Sequence, residues 1–162
     1  MRPVASRTKP SVSQENETMA HEQELAAVPL FSQLPRKDLI RISRAVVERN
    51  YKKGETIVKE GEQAVAFFVV TKGHVEVTTG TGPKKQKLSE LGAGGIFGEM
   101  ALLDGGPRVA TVRAMDDCVC LVLSRWDFVA ELRTNPQIAV AMLPIISGRL
   151  RDVEAKLAAA SH

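Results

Sequence analysis

The residues best suited to chemistry lie in one glycine-rich segment, residues 92–112. Six of its first fifteen residues are glycine, a residue that lets the main chain approach a ligand closely and adopt positive φ. Within the segment, residues 99–103 are long enough for one short helix. The first N–H groups of a helix lack partners inside it and favour an anion, so this run predicts main-chain donors for a phosphate.

Two charged side chains accompany these donors. Arg108 follows Pro107, whose fixed φ helps to hold the loop, and a guanidinium presents a planar fork of N–H groups that suits phosphate oxygens. Glu99 stands at the start of the predicted short helix, where a carboxylate repels phosphate but suits a pair of hydroxyls such as those of a ribose. Together these groups predict a site for a nucleotide of low charge.

Short strands must position this segment. From about Asn50 to Ser124, runs rich in β-branched and aromatic residues alternate with glycine turns. The predicted strands are 56–58, 66–71, 74–79, 87–91, 110–114 and 118–123. Many short strands with such turns predict a mainly β fold, an antiparallel β-roll or jelly-roll-like barrel over about residues 50–124.

Helices are expected on both sides of the β-roll. A short polar helix is predicted over residues 20–28, and a second helix over residues 35–46. After the strands, Ser124 is the predicted N-cap of a further helix, with Asp127 at the capping-box position. Asn135-Pro136 begins a longer helix, which completes a C-terminal helix pair over about residues 125–160.

The last helix carries an apolar seam of coiled-coil spacing. Its members are Ile146, Leu150, Val153 and Leu157. One interpretation is that the seam packs on the chain's own β-roll. The other is that it forms a homodimer contact or a moving lid.

The composition is that of an ordinary globular domain, with 162 residues, 44% hydrophobic and 25% charged. Residues 1–18 are poor in apolar side chains and are predicted to form a disordered tail, which leaves residues 19–162 as one domain. The net charge is only +3. The one dense basic cluster, residues 84–87, lies beside glycines and indicates a hairpin tip rather than a nucleic-acid contact.

Several classes of protein are not favoured by the sequence. No apolar run approaches the roughly 18 residues of a membrane-spanning helix, and the N-terminus lacks the apolar core of a secretory signal. We therefore expect a cytoplasmic protein with no membrane partner. Cys118 and Cys120 lie two apart in a predicted strand and indicate buried reduced thiols. The histidines are scattered and no nucleophile–base pair stands out, so we expect neither a metal site nor an enzyme.

The ordered segment Phe97-Gly-Glu-Met-Ala-Leu-Leu-Asp-Gly-Gly-Pro-Arg-Val-Ala-Thr-Val112 resembles the phosphate-binding cassette of the cyclic-nucleotide-binding domain family. Catabolite activator proteins, protein kinase A regulatory subunits and cyclic-nucleotide-gated channels share this cassette. The resemblance covers about residues 25–158. It extends through the segments 28–34, 53–62, 69–77 and 123–128.

The resemblance implies a β-roll flanked by helices that binds a cyclic mononucleotide and needs no cofactor. By position, Arg108 would bind the equatorial phosphate oxygen and Glu99 would accept a bond from the ribose 2′-hydroxyl. The amides of Ala101 and Val109 would surround the phosphate, and Gly98 would lie against the ribose. The implied ligand-binding set is Gly98, Glu99, Met100, Ala101, Arg108, Val109 and Ala110.

This chain departs from the family pattern at two places near the phosphate. Val65 stands where many members carry an aspartate that orients the cassette arginine. Because an unpaired buried charge is costly, we expect Arg108 to swing outward or to hold an anion when the site is empty. Val109 stands where members selective for cyclic GMP often carry a threonine that bonds the guanine amino group. Valine favours cyclic AMP, with cyclic GMP as the second ligand.

The part of the site that would cover the base is expected on the last helix, which in this family usually closes over the nucleotide. The Thr-Ser pair that touches adenine in catabolite activator proteins corresponds here to Val153 and Glu154. Channel relatives use an arginine on this helix. The candidate lid residues are therefore Arg149, Arg151 and Val153, and for each the alternative is a solvated helix face.

The sequence thus predicts a stand-alone regulatory or sensor domain that binds cyclic AMP and relays its occupancy through the C-terminal helix to an unknown protein partner or output domain. Too few residues follow Pro144 for a helix-turn-helix, so DNA is not an expected partner. The alternative is a related fold that no longer binds nucleotide and serves as a protein-interaction or dimerisation module. Val65 favours this alternative, whereas Gly98, Glu99 and Arg108 together favour binding.

Overall fold

The computed structural model describes residues 9, 11–98 and 105–160. Within them, helices precede and follow a region of strands. The helices are α1 (Val12–Ala26), α2 (Arg36–Ala45), α3 (Arg125–Thr134) and α4 (Pro136–Ala160). The strands are β1 (Val47–Tyr51), β2 (Thr56–Val58), β3 (Ala66–Lys72), β4 (Val75–Thr79), β5 (Gln86–Leu91), β6 (Ile96–Phe97), β7 (Thr111–Ala114) and β8 (Cys118–Ser124).

The strands form two antiparallel sheets with the orders β1-β8-β3-β6 and β2-β7-β4-β5. This is the antiparallel β-roll with flanking helices that the sequence predicts, and that prediction is confirmed. The basic cluster at residues 84–87 lies at the β4–β5 connection, where a short 3-10 turn spans Gly82–Lys84.

Strand β3 divides the hydrophobic core in two. Alternate side chains of a strand point to opposite faces of the sheet, and residues 66–70 are all buried. Phe67 and Val69 belong to the core beneath the helices, whereas Phe68 and Val70 belong to the core inside the β-roll. Strand β3 therefore connects the helical layer to the interior of the roll, and β6 and β8 likewise contribute side chains to both cores.

The helical core is centred on aromatic packing. The ring of Phe67 stacks on that of Phe128 in α3 with centroids 4.6 Å apart, and Phe31 meets Phe67 edge-on at 6.4 Å. Ile138 and Met142 of α4 are fully buried against the same cluster. The first half of α4 is thereby fixed to the β-roll through α3 and β3.

The N-terminal helix begins earlier than the sequence suggested. Ser11 and Gln14 form a capping box, in which the Gln14 amide donates to Ser11 Oγ (3.3 Å) and the Ser11 amide donates to Gln14 Oε1 (2.9 Å). Residues 12–18, predicted as part of a disordered tail, therefore lie in α1. Because this stretch has few apolar residues, no helical pattern in the sequence indicates that Ser11 is an N-cap.

Two strands were not predicted. Strand β1 pairs with β8, but four of its five residues are exposed, so it has no alternating apolar pattern. Helix α2 therefore ends at Ala45 rather than continuing to Val46. Strand β6 has only two residues and is enclosed by glycines, so tertiary pairing with β3, not local propensity, creates it.

The predictions for Ser124 and for the two cysteines are confirmed. Ser124 caps α3 by accepting a bond from the Asp127 amide (3.2 Å). Cys118 and Cys120 are both free and buried, and burial raises the pKa of the Cys120 thiol to about 12. None of the helices in the described ranges has the length and apolar character needed to cross a membrane.

The apolar seam of α4 packs on the β-roll only at its beginning. Ile146 contacts the helical core, but Leu150 and Leu157 are 58% and 63% exposed. The interpretation that the whole seam packs on the chain's own β-roll is therefore wrong beyond Ile146. Its C-terminal half presents these leucines to solvent.

Candidate functional site

Arg108 lies just before β7, and hydrogen bonds hold the main chain at this residue. Its amide donates to the Glu62 carbonyl and its own carbonyl accepts from the Gly61 amide, each at 2.8 Å. The adjacent Pro107 forms an isolated β-bridge with Gln63. The turn after β2 and the cassette are thereby joined into one unit.

The guanidinium of Arg108 points into the protein, and the residue as a whole is only 6% exposed. Its Nη2 donates to the Ala66 carbonyl (2.8 Å) and its Nη1 donates to the Gly98 carbonyl (3.1 Å). Of the two expectations for the empty site, that Arg108 swings outward or that it holds an anion, the first is wrong, because two main-chain carbonyls accept hydrogen bonds from the inward-pointing guanidinium.

Gly98 is the residue that lets this arginine come close. Its φ is 89°, in the left-handed region that favours glycine. A Cβ added at this position would lie 2.6 Å from Arg108 Nη1 and 3.1 Å from the Ala66 carbonyl oxygen. The β6 strand ends at the preceding residue, so its pairing with β3 sets where Gly98 meets Arg108.

The site combines a buried cation with few compensating charges. Burial lowers the pKa of Arg108, and the nearby Glu62 carboxylate partly opposes this shift. Among the described residues, no carboxylate lies within ion-pair distance of the guanidinium. Val65, at the position of the family aspartate, is 67% exposed. An arginine stays protonated in proteins, so this arrangement favours the approach of an anion.

The structure brings some of the predicted ligand-binding residues together. Gly98 and Arg108 are in contact, and Val109 and Ala110 follow Arg108 directly, with the Val109 side chain exposed. Glu99, Met100 and Ala101 lie outside the described residues.

Among the predicted lid residues, Arg149 contacts β6, the strand that precedes Gly98. Its Nη2 donates to the carbonyl of Ile96 in β6, two residues before Gly98, and burial lowers its pKa. Farther along α4, Lys156 donates to the carbonyl of Leu88 in β5. Arg151 and Val153 are exposed on the helix. The second half of α4 is therefore tied to the β-roll by polar bonds rather than by its apolar seam.

Two contributors to the site were not identified from the sequence. The Ala66 carbonyl accepts from Arg108 across 42 positions of the chain, and the ring of Phe68 lies beneath the guanidinium, 5.7 Å from Cζ to the ring centroid. The alternation of β3 is the signal that could have found Phe68, since it places this ring inside the β-roll. A main-chain acceptor such as Ala66 carries no such signal.

His74 serves local structure. His74 Nδ1 lies 3.0 Å from Asp116 Oδ2, and this contact lowers the pKa of the Asp116 carboxyl. Across the part of the chain that the structure describes, no three His, Cys, Asp or Glu side chains are grouped so that they could hold a metal ion.

Comparison with known proteins decides the family. The model of the cyclic nucleotide-binding domain matches residues 48–135, which include the β-roll, Gly98 and Arg108. This chain belongs to the cyclic nucleotide-binding domain family. In this family the domain is regulatory rather than catalytic.

Individual relatives come from channels, transcription regulators and kinase subunits. A cyclic nucleotide-gated potassium channel of Rhizobium etli is 42% identical over 117 residues, 72% of this chain and 32% of the channel. The catabolite activator protein of Thermus thermophilus superposes with a TM-score of 0.72 at 33% identity, over 82% of this chain and 63% of that one. The regulatory subunit of a cAMP-independent protein kinase A from Trypanosoma cruzi, solved with guanosine, has a TM-score of 0.72 at 25% identity. It is matched over 81% of this chain and 46% of its own length.

The chain therefore spans less than two thirds of each of these relatives. The part of this chain that matches the family model is residues 48–135, from β1 to the end of α3.

Proposed function

We propose that this cyclic nucleotide-binding domain is a cytoplasmic sensor that binds cyclic AMP in preference to cyclic GMP and relays its occupancy through α4. The observation that carries the proposal is the guanidinium of Arg108. It is held inside the protein against Gly98 with no carboxylate partner among the described residues. A singly charged cyclic phosphate compensates such a cation and accepts its remaining N–H groups. No metal, further cofactor or catalytic step is part of the proposal.

In this site the phosphate lies between Arg108 and main-chain donors. Arg108 bonds the equatorial oxygen while the amides of Ala101 and Val109 surround the others. Gly98 lies against the ribose because it has no side chain to obstruct it. Met100 and Ala110 complete the surface around the sugar and phosphate.

Glu99 accepts the ribose 2′-hydroxyl in this proposal. We expect Glu99→Ala to weaken cyclic AMP binding and to leave binding of 2′-deoxy cyclic AMP nearly unchanged, because the second ligand has no hydroxyl to lose. Calorimetric titration of the parent chain and of Glu99→Ala with both ligands measures these changes in affinity. Equal losses for the two ligands would remove Glu99 from its role at the sugar.

The preference for cyclic AMP rests on Val109. This exposed side chain follows Arg108 directly and has no hydroxyl with which to accept a bond from the guanine amino group. Guanine therefore gains no additional bond here, and the apolar surface favours the less polar edge of adenine.

The relay uses the bonds that tie α4 to the β-roll. Ligand drawn between Glu99 and Arg108 pulls the segment after Gly98 inward and shifts β6, whose Ile96 carbonyl holds Arg149. Helices α3 and α4 then reposition, and α4 closes over the base, with Arg149 as its contact in preference to Arg151 or Val153. Ligand shifts this equilibrium only by its differential affinity for the two arrangements.

The receiver of this signal is an output domain, a separate protein or a second copy of the chain. The exposed leucines of α4 support a second copy, since Leu150 and Leu157 are seven residues apart and repeat once per heptad. Two exposed leucines one heptad apart on a helix are suited to pairing with the same leucines of a second copy. The exposed Val65 also favours an interaction module, which is the second candidate function.

Titration calorimetry of the purified chain tests the proposal. We expect saturable binding of cyclic AMP, weaker binding of cyclic GMP and none of 5′-AMP, whose second negative charge and open phosphate do not fit. Guanosine is included as a ligand that lacks phosphate. Light scattering on the same samples reports whether the chain dimerises. Absence of heat and of thermal shift with every ligand, together with a dimer, would instead establish the interaction module.

A further inference from the structure

The cation of Arg108 is positioned from two directions. At its edge, Nη1 and Nη2 each donate to a main-chain carbonyl, those of Gly98 and Ala66. At its face, Cζ lies 5.7 Å from the centroid of the Phe68 ring. A guanidinium within about 6 Å of an aromatic centroid is attracted by the negative face of the ring, and more strongly where water is excluded. Both Arg108 and Phe68 are 6% exposed, so water has little access to this contact.

The Phe68 ring is itself held in place. Phe68 of β3 pairs directly with Phe97 of β6, and their rings stack with centroids 4.7 Å apart and planes 4° apart. Phe97 immediately precedes Gly98, whose missing side chain leaves room beside the Phe68 ring. The β3–β6 pair therefore positions both the aromatic face and the carbonyl edge of the arginine site.

We propose that Phe68 is a positioning residue that holds Arg108 ready for the phosphate, in place of an acidic side chain. This inference rests on the proposed function, since it concerns the same anion site. A carboxylate and an aromatic ring hold an arginine in chemically different ways. A carboxylate accepts guanidinium N–H groups that a phosphate also needs, whereas the face of a ring attracts the cation and accepts none of them. Phe68 thereby orients Arg108 and leaves its remaining donors for the ligand.

Phe68→Met tests the proposal, because methionine keeps a buried apolar side chain of similar size but has no aromatic face. We expect cyclic AMP affinity to fall about 5-fold to 30-fold, the range of a desolvated cation–aromatic contact. Phe67→Met is the matched control. It removes the neighbouring ring, which points into the helical core, and is expected to change affinity less than about 2-fold.

A second measurement separates positioning from general stability. In the Arg108→Gln background, Phe68→Met is expected to have almost no further effect on affinity, since the cation through which the ring acts is gone. In NMR spectra of the unliganded chain, the Arg108 Nε–H resonance, assigned by its loss in Arg108→Gln, is expected to move when the ring is removed. Thermal melts verify folding, and Phe68→Leu repeats the series if the methionine variant unfolds.

Two results would overturn the inference. One is a Phe68→Met variant that binds cyclic AMP as the parent does, and the other is a loss that is equally large in the Arg108→Gln background. The failure of the proposed function is distinguishable from both, because it appears in the parent chain as absence of cyclic-nucleotide binding. In that case the Nε–H resonance still reports whether Phe68 holds the arginine.

Discussion

Arg108→Leu is expected to lower the affinity for cyclic AMP by about 30-fold to 150-fold, or more. The leucine fills the same buried space but removes the charge-assisted hydrogen bonds to the phosphate, which contribute about 2–3 kcal/mol. We expect the substitution to affect the stability of the unliganded protein less than it affects the affinity for cyclic AMP. Removing a cation that is 6% exposed relieves its desolvation, which offsets the lost bonds to the Ala66 and Gly98 carbonyls.

Arg113→Leu is the matched control for this prediction. It removes the same charge from an exposed arginine of β7, whose Nε donates to the Gly54 carbonyl at 3.1 Å. Titration calorimetry of the two variants distinguishes the loss of a contact in the binding site from the loss of one positive charge. Circular dichroism verifies the fold of both variants. Binding by Arg108→Leu that matches the parent chain would show that the phosphate lies elsewhere.

Gly98→Ala is expected to damage both the fold and the site. A φ of 89° is unfavourable for alanine and costs about 1–2 kcal/mol of unfolding free energy. The new methyl group would also lie 2.6 Å from Arg108 Nη1, so the guanidinium must leave the Gly98 and Ala66 carbonyls. We therefore expect a lower melting temperature together with at least about a 10-fold loss of cyclic AMP affinity, equivalent to about 1.4 kcal/mol.

Gly94→Ala separates these two effects. Gly94 has nearly the same φ, 87°, but a Cβ at this position meets no atom within 4 Å. It should therefore lower the free energy of unfolding by a similar amount and leave cyclic AMP affinity unchanged. Denaturant unfolding and calorimetry on both variants measure the two quantities. If Gly94→Ala lost as much affinity as Gly98→Ala, backbone strain alone would explain the result and the close approach to Arg108 would be irrelevant.

These experiments target residues of which some could be identified from the sequence and some could not. Gly98 and Arg108 lie in one short segment. Their residue types alone indicate close approach of the main chain to a ligand and binding of phosphate oxygens. Ala66 and Phe68 lie about 40 positions before Arg108, and in the sequence they do not differ from other residues of a buried strand. Their part in the site depends on β3 pairing with β6, a two-residue strand that no local pattern reveals.

The sequence by itself determined the β-roll and the N-cap of α3, and it predicts an anion site, because alternation, glycine turns and capping residues act over a few neighbouring positions. The tertiary structure decided how the cation is held. It turned Arg108 inward onto two carbonyls and an aromatic face, and it left Leu150 and Leu157 of α4 in solvent. Both outcomes depend on where distant segments meet, and the type of a residue does not specify its distant neighbours.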